Sequence, residues 1–267
     1  MKATRLLFCA ALAVALACPL LAQEAPTGFH RAACIKIKAG MGHQYREWVQ
    51  GDLHKYVQSR VDSGAIAAWY LLSAVIPQGE SAECDYVSVA FYKGLPNPPM
   101  DRDDFVAALK QAGISATAQE YLDKRDSMTT LISNDMFRTV AMVGAPKKGD
   151  YFIVNYMKVA SMNDYIAYEK KVWAPFAQEL AKDGSRTGWS LNVREFPTGS
   201  STTFQAVTVD VVPSWNEIFQ PSGDFTAAFK RAHPDMEIGT TLEHYEKLRT
   251  IVSTRVFHLV ELVAPAK

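Results

Sequence analysis

Asn155 and His233 are the two residues whose chemistry the local pattern does not call for. An imidazole can ligate a metal, exchange a proton near neutral pH, or hold the polar group of a ligand. A carboxamide on an apolar strand must find partners, because a buried amide without them costs about 1–3 kcal/mol. Both stand out against the chain itself: 120 positions earlier the sequence has Ile35 and Gly113. A plainer role is open to each. A histidine at a helix C-terminus gains about 0.3–1 kcal/mol from the macrodipole, and an amide can be bonded within a core.

Aromatic residues surround these two positions in sequence. Tyr165, Tyr168, Trp173 and Phe176 follow Asn155, as Tyr45, Trp48 and Tyr56 follow Ile35. Rings at helical spacing supply core, each worth about 1.5–3 kcal/mol on burial, or the walls of a pocket for a flat apolar ligand. Tyr165 and Trp173 are the ring candidates beside Asn155 and His233.

Other chemistry is thinly represented. Gly-x-Ser-x-Gly, the Walker loop, His-Glu-x-x-His and Cys-x-x-Cys are all absent. Gly40-Met-Gly42 is followed by Tyr45 where a dinucleotide fingerprint needs glycine, so it reads as a tight turn. His43 and His54 are about three helical turns apart and share no metal, and His244 sits among Glu243 and Glu246. His258 and Glu261 fall on opposite faces of one strand. Asp210 and Lys158 fall on the less apolar face of theirs, as a polar patch or an ion pair.

The elements that must position these residues occur twice. Asp104-Phe-Val-Ala-Ala-Leu-Lys-Gln-Ala-Gly113 returns as Asp224-Phe-Thr-Ala-Ala-Phe-Lys-Arg-Ala-His233. Each Asp stands where an N-cap belongs, and the apolar residues follow the i, i+3, i+4, i+7 rule of one buried stripe. Before it come a strand at Ala32–Ala39, a helix at His43–Ser63, and strands at Trp69–Ile76 and Asp85–Tyr92. A helix near Thr117–Thr130 and a strand at Met136–Val143 complete the set. Shifted by 120, Tyr45 meets Tyr165, Gly64 meets Gly184, Trp69 meets Trp189, Pro77 meets Pro197 and Phe137 meets Phe257. Apolar periodicity alone would not also align breaking glycines, turn prolines and tryptophans. The expected units are 30–148 and 149–267.

Strand, helix, strand, strand, helix, strand is the ferredoxin-like βαββαβ order, an antiparallel sheet with both helices on one face. The other face must be covered, and the second unit is the natural cover. On that element order the chain resembles the dimeric α/β-barrel superfamily, which includes antibiotic-biosynthesis monooxygenase-like, stress-responsive barrel and NIPSNAP-type domains. The resemblance implies an α+β fold of two repeats packed sheet to sheet as an intramolecular dimeric barrel, hence a monomer carrying its own pseudo-dimer. It also implies possible haem handling, in which Asn155 and His233 would correspond to the strand Asn and the iron-ligating His. The Trp of that set would fall near Gly223, where this sequence has none.

Composition bounds the partners. Lys2 and Arg5, the apolar run Leu6–Ala17 and Pro19-Leu-Leu-Ala22 have the order of a signal peptide, with cleavage expected near Ala22, or lipoprotein processing at Cys18. The protein is therefore expected in the periplasm or secreted, with 23–29 as a flexible leader. Removing 1–22 leaves 26 basic against 28 acidic residues, a balance that argues against nucleic acid as a partner. No later run is long enough to span a membrane. The expected partner is a small apolar or aromatic molecule held in the second unit's cleft. In an oxidising compartment Cys34 and Cys84 invite pairing. In the ferredoxin-like register, however, Cys34 should face about residue 90, too far from Cys84 to reach it, so no bridge is expected.

Overall fold

The computed structural model describes residues 28–265; the expected signal segment and most of the leader lie outside them. The strands are β1 (Phe29–Ile37), β2 (Ala68–Ile76), β3 (Tyr86–Phe91), β4 (Thr129–Gly144), β5 (Tyr151–Val159), β6 (Gly188–Phe196), β7 (Ala206–Val212) and β8 (Arg249–Val263). Each is rich in β-branched and aromatic residues, with apolar side chains in alternation. They close into one antiparallel barrel in the order β1-β3-β2-β8-β5-β7-β6-β4. The fold is α+β.

The helices lie outside this barrel. A continuous helical run holds α1 (Gly42–Trp48), a π-turn at Val49–Leu53, and α2 (His54–Asp62). Next come α3 (Arg102–Gln111) and α4 (Ala118–Met128). In the second half α5 (Met162–Tyr168), a π-turn at Glu169–Trp173 and α6 (Ala174–Lys182) repeat the run, followed by the short α7 (Asn216–Phe219), α8 (Phe225–Ala232) and α9 (Ile238–Leu248). Gly64 and Gly184 follow the ends of α2 and α6 at φ of 73° and 82°, the left-handed conformation a helix stop requires. Asp224 caps α8 as expected, accepting from Ala227 N. The cap of α3 is Asp101 rather than Asp104, because an earlier aspartate is available to accept from Asp104 N and starts the helix sooner.

Three apolar clusters follow from this layering. Tyr45, Trp48, Leu71 and Tyr121 pack the first half's helices onto its strands, and Tyr165, Phe176, Trp189 and Phe229 do so in the second. Leu72, Phe137, Phe152, Phe257 and Leu259 fill the third, inside the barrel. The sheet's inner face is covered not by stacking alone but by two backbone seams that join the halves. One runs from Trp69↔Val263 to Ile76↔Val256, the other from Met136↔Phe196 to Gly144↔Gly188. At the second seam a Cβ on Gly144 would stand 2.2 Å from Thr187 O, so only glycine lets these strands meet there.

Cys34 and Cys84 are joined by a disulfide, contrary to expectation, with their Cα atoms 5.2 Å apart. The register is the reason. Cys34 faces Val87 rather than residue 90, and Cys84 lies before β3 rather than in it. That approach segment is folded against β1 by Asp85, whose N–H bonds Ile35 O and whose carboxylate takes Ile37 N and Lys36 Nζ.

Candidate ligand-binding site

The barrel encloses a cavity of about 340 Å³ to which all eight strands contribute. Its walls are mainly apolar: Tyr70, Leu72, Val89, Phe91, Phe137, Phe152, Val154 and Val209 among others. Antiparallel order gathers the starts of β1, β2, β5 and β6 and the ends of β3, β4, β7 and β8 at one end. There small residues, Ala67, Ala68, Gly144, Gly188 and Ala264, line the opening. At the other end Phe204 stands against Tyr156 and Phe137, with ring centroids 4.9 and 6.4 Å away. The Arg194 guanidinium lies over Phe204 and pairs with Asp135 at 2.9 Å.

One polar line crosses this apolar chamber. Asn192 Nδ2 donates to Ser190 Oγ at 3.0 Å and to Val207 O at 3.4 Å. Thr139 Oγ1 donates to Asn192 Oδ1 at 3.0 Å and lies 3.2 Å from His30 Nδ1. The His30 ring is stacked on Phe137 and tilted against Phe91, with centroids 5.3 and 5.2 Å away. Burial pushes its pKa down to about 4, because the cation loses its hydration. The ring is neutral at physiological pH.

These residues mark where the halves differ inside the barrel. Thr139 pairs with Asn192 across one seam, while Leu72 pairs with Leu259, their 120-residue counterparts, across the other. The 120-residue shift that sets Asn155 against Ile35 also sets Asn192 against Leu72 and Thr139 against Leu259. His30 escaped notice because the first strand was expected to begin at Ala32. It lies on the strand face opposite Ile35 and Ile37.

The four residues expected to form a site lie on the barrel's outer side, and none lines the cavity. Asn155 is half-buried between two threonines, donating to Thr208 Oγ1 at 3.4 Å and accepting from Thr254 Oγ1 at 2.8 Å. Tyr165 has no exposed surface and its hydroxyl lies 2.8 Å from Met157 Sδ. Trp173 packs edge-on against Phe176 and Tyr245. His233 ends α8, and its Nε2, which must carry a proton to do so, donates to Val172 O at 2.8 Å. The π-turn presents that carbonyl.

The residues of this cleft do not fit haem. His233 Nε2 is committed to a carbonyl, whereas an iron ligand needs that lone pair. Tyr165, Val172 and Phe176 leave no exposed surface between helix and sheet. A Cβ on Gly223 would lie 2.8 Å from Ser185 Oγ, so a tryptophan there would clash. The barrel chamber offers no better seat for such an anion, since neither lysine nor arginine is among its lining residues.

The cleft does hold a buried polar group of its own. Glu169, on the π-turn, accepts from Tyr245 Oη at 3.3 Å. Burial lifts its pKa to about 7, Tyr165, Arg249 and Tyr245 oppose that rise, and Asp210 adds to it. By the sequence, Asp210 falls with Lys158 on the less apolar strand face, away from the helices. It lies on the helix face instead, paired in register with Trp189, and Arg186 is its cation at 3.9 Å. Lys158 is exposed. A one-residue error in phase inverts a strand's faces.

No family model matches this chain, and no curated protein does either. Solved structures do. A candidate monooxygenase from Lactobacillus acidophilus NCFM superposes with a TM-score of 0.54 at 7% identity, covering 89% of this chain and 96% of that one. A second, from Fusobacterium nucleatum subsp. nucleatum ATCC 25586, gives 0.54 at 5% identity, covering 89% and 94%. The chain shares the fold of these two structures, a dimeric α/β barrel.

Proposed function

We propose that this chain is a fused pair of ferredoxin-like units whose shared barrel binds one small, flat, apolar or aromatic molecule. The observation that carries this is the chamber of about 340 Å³, apolar on nearly every wall and open at the end where small residues gather. The strand orders β4-β1-β3-β2 and β8-β5-β7-β6 within the closed barrel support the paired-unit reading. The Cys34–Cys84 bridge supports an oxidising compartment, periplasmic or extracellular.

Fold likeness transfers no activity, and whether the same chamber supports an oxygenation is a separate question. Oxygen consumption with a bound hydroxyaromatic would answer it. Binding itself is tested by titrating 2-naphthol, followed by its fluorescence, into wild type and Ala68→Phe. The larger ring blocks the opening, so saturable binding should be lost in the variant while melting stays unchanged. Equal binding by both proteins would place the ligand elsewhere.

A further inference from the structure

Resting on the chamber as the binding site, we infer that it selects molecules bearing a hydroxyl or other hydrogen-bond donor, which His30 Nε2 accepts.

The direction of the polar line fixes this. Val207 O is a carbonyl and can only accept, so the group facing it must be the amide nitrogen of Asn192. Asn192 Oδ1 therefore faces Thr139 and must receive its hydroxyl proton. That hydroxyl has one proton to give, so toward His30 it can only accept, and Nδ1 carries the hydrogen. In a neutral imidazole the other nitrogen is then bare. Nε2 has no hydrogen-bond partner among the described residues, and it is not among the fully enclosed unpaired polar atoms. The Val207 carbonyl, acting through Asn192 and Thr139, thus sets the hydrogen-bonding sense of His30 Nε2. The apolar seam, Leu72 against Leu259, has no such device.

Thr139 is a positioning residue in this scheme. Without its oxygen the Nδ1 hydrogen loses its acceptor, and the ring is free to present a donor instead.

Three probes of similar shape separate the possibilities: 2-naphthol, 2-methoxynaphthalene and 1,4-naphthoquinone, titrated calorimetrically into the full chain. Wild type should bind 2-naphthol at least about tenfold more tightly than the methyl ether. That ratio should fall toward one in His30→Phe and Thr139→Val and persist in Thr139→Ser, with melting temperatures confirming that each variant folds. If naphthol and its ether bind wild type equally, the selection by His30 is wrong while the chamber stands. A quinone that binds more tightly than naphthol would reverse the inferred polarity. Should none of the three bind, both the selection and the chamber reading fall.

Discussion

Thr139 Oγ1 lies 3.2 Å from His30 Nδ1 and 3.0 Å from Asn192 Oδ1, across separations of 109 and 53 residues in the chain. His30 and Thr139 stand on neighbouring strands of the first half and Asn192 on a strand of the second, so the closed barrel completes the line. The mainly apolar chamber thereby acquires an imidazole nitrogen of fixed hydrogen-bonding sense.

The neutrality of His30 predicts the pH dependence of binding. Its pKa is depressed to about 4 in the fold, so Nε2 stays an acceptor from pH 8 down to about 5. Below about 4 the ring gains a proton there and naphthol affinity should fall about tenfold per pH unit. A midpoint near 6.5 in a binding titration would show an ordinary, solvated histidine. The same shift makes His30 contribute stability that is present above pH 6.5 and lost as pH falls through about 4.

Replacing the polar seam by a copy of the apolar one separates function from stability. Thr139→Leu with Asn192→Leu reproduces the Leu72–Leu259 pair. Removing both partners of a buried hydrogen bond can be neutral or stabilising, and binding sites often sit below their stability optimum. The double variant should melt within about 3 °C of wild type or above it, and lose its preference for naphthol over the ether. A large drop in melting temperature would make the polar line structural.

The bridge between Cys34 and Cys84 closes a loop of 50 residues. Chain-entropy arguments give about 2–4 kcal/mol for such a loop. Cys34→Ala with Cys84→Ala should lower the unfolding free energy extrapolated from urea denaturation by that amount without changing naphthol affinity much, since neither residue lines the chamber.

Glu169 predicts a slope on the alkaline side. Its pKa rises from 4.5 to about 7 on burial, so the folded state holds a proton that the unfolded state releases. Its stabilising contribution is complete below about 4.5 and disappears as pH rises through 7. Glu169→Gln keeps the shape without the charge. Variant and wild type should be alike at pH 5, with the variant ahead by about 1–3 kcal/mol at pH 8. Parallel stability curves would refute a raised carboxyl.

Much of the architecture could be read from residues alone, because repeats and periodicity are local. Gly64 and Gly184, Trp69 and Trp189, and the helix stripe at Phe105 and Phe225 each repeat at one shift. The features that were misread depend on phase and register. Asp210 was put on the wrong face by one residue, and Cys34 was set opposite residue 90 where Val87 stands. The chamber's polar line was harder still, since His30 meets Thr139 across the β1–β4 pair and Thr139 meets Asn192 across a seam between halves. Yet the Leu72 to Asn192 and Leu259 to Thr139 exchanges were visible, and they pointed inward where Asn155 pointed out.

The position of a bound ligand separates the barrel from the outer cleft. A crystal of the protein grown with 6-bromo-2-naphthol would locate the bromine by its anomalous scattering. We predict a single strong peak inside the barrel, with the ring against the apolar walls of the chamber and its hydroxyl within hydrogen-bond distance of His30 Nε2. A peak in the outer cleft beside Asn155, Tyr165, Trp173 and His233, with an empty barrel, would contradict it.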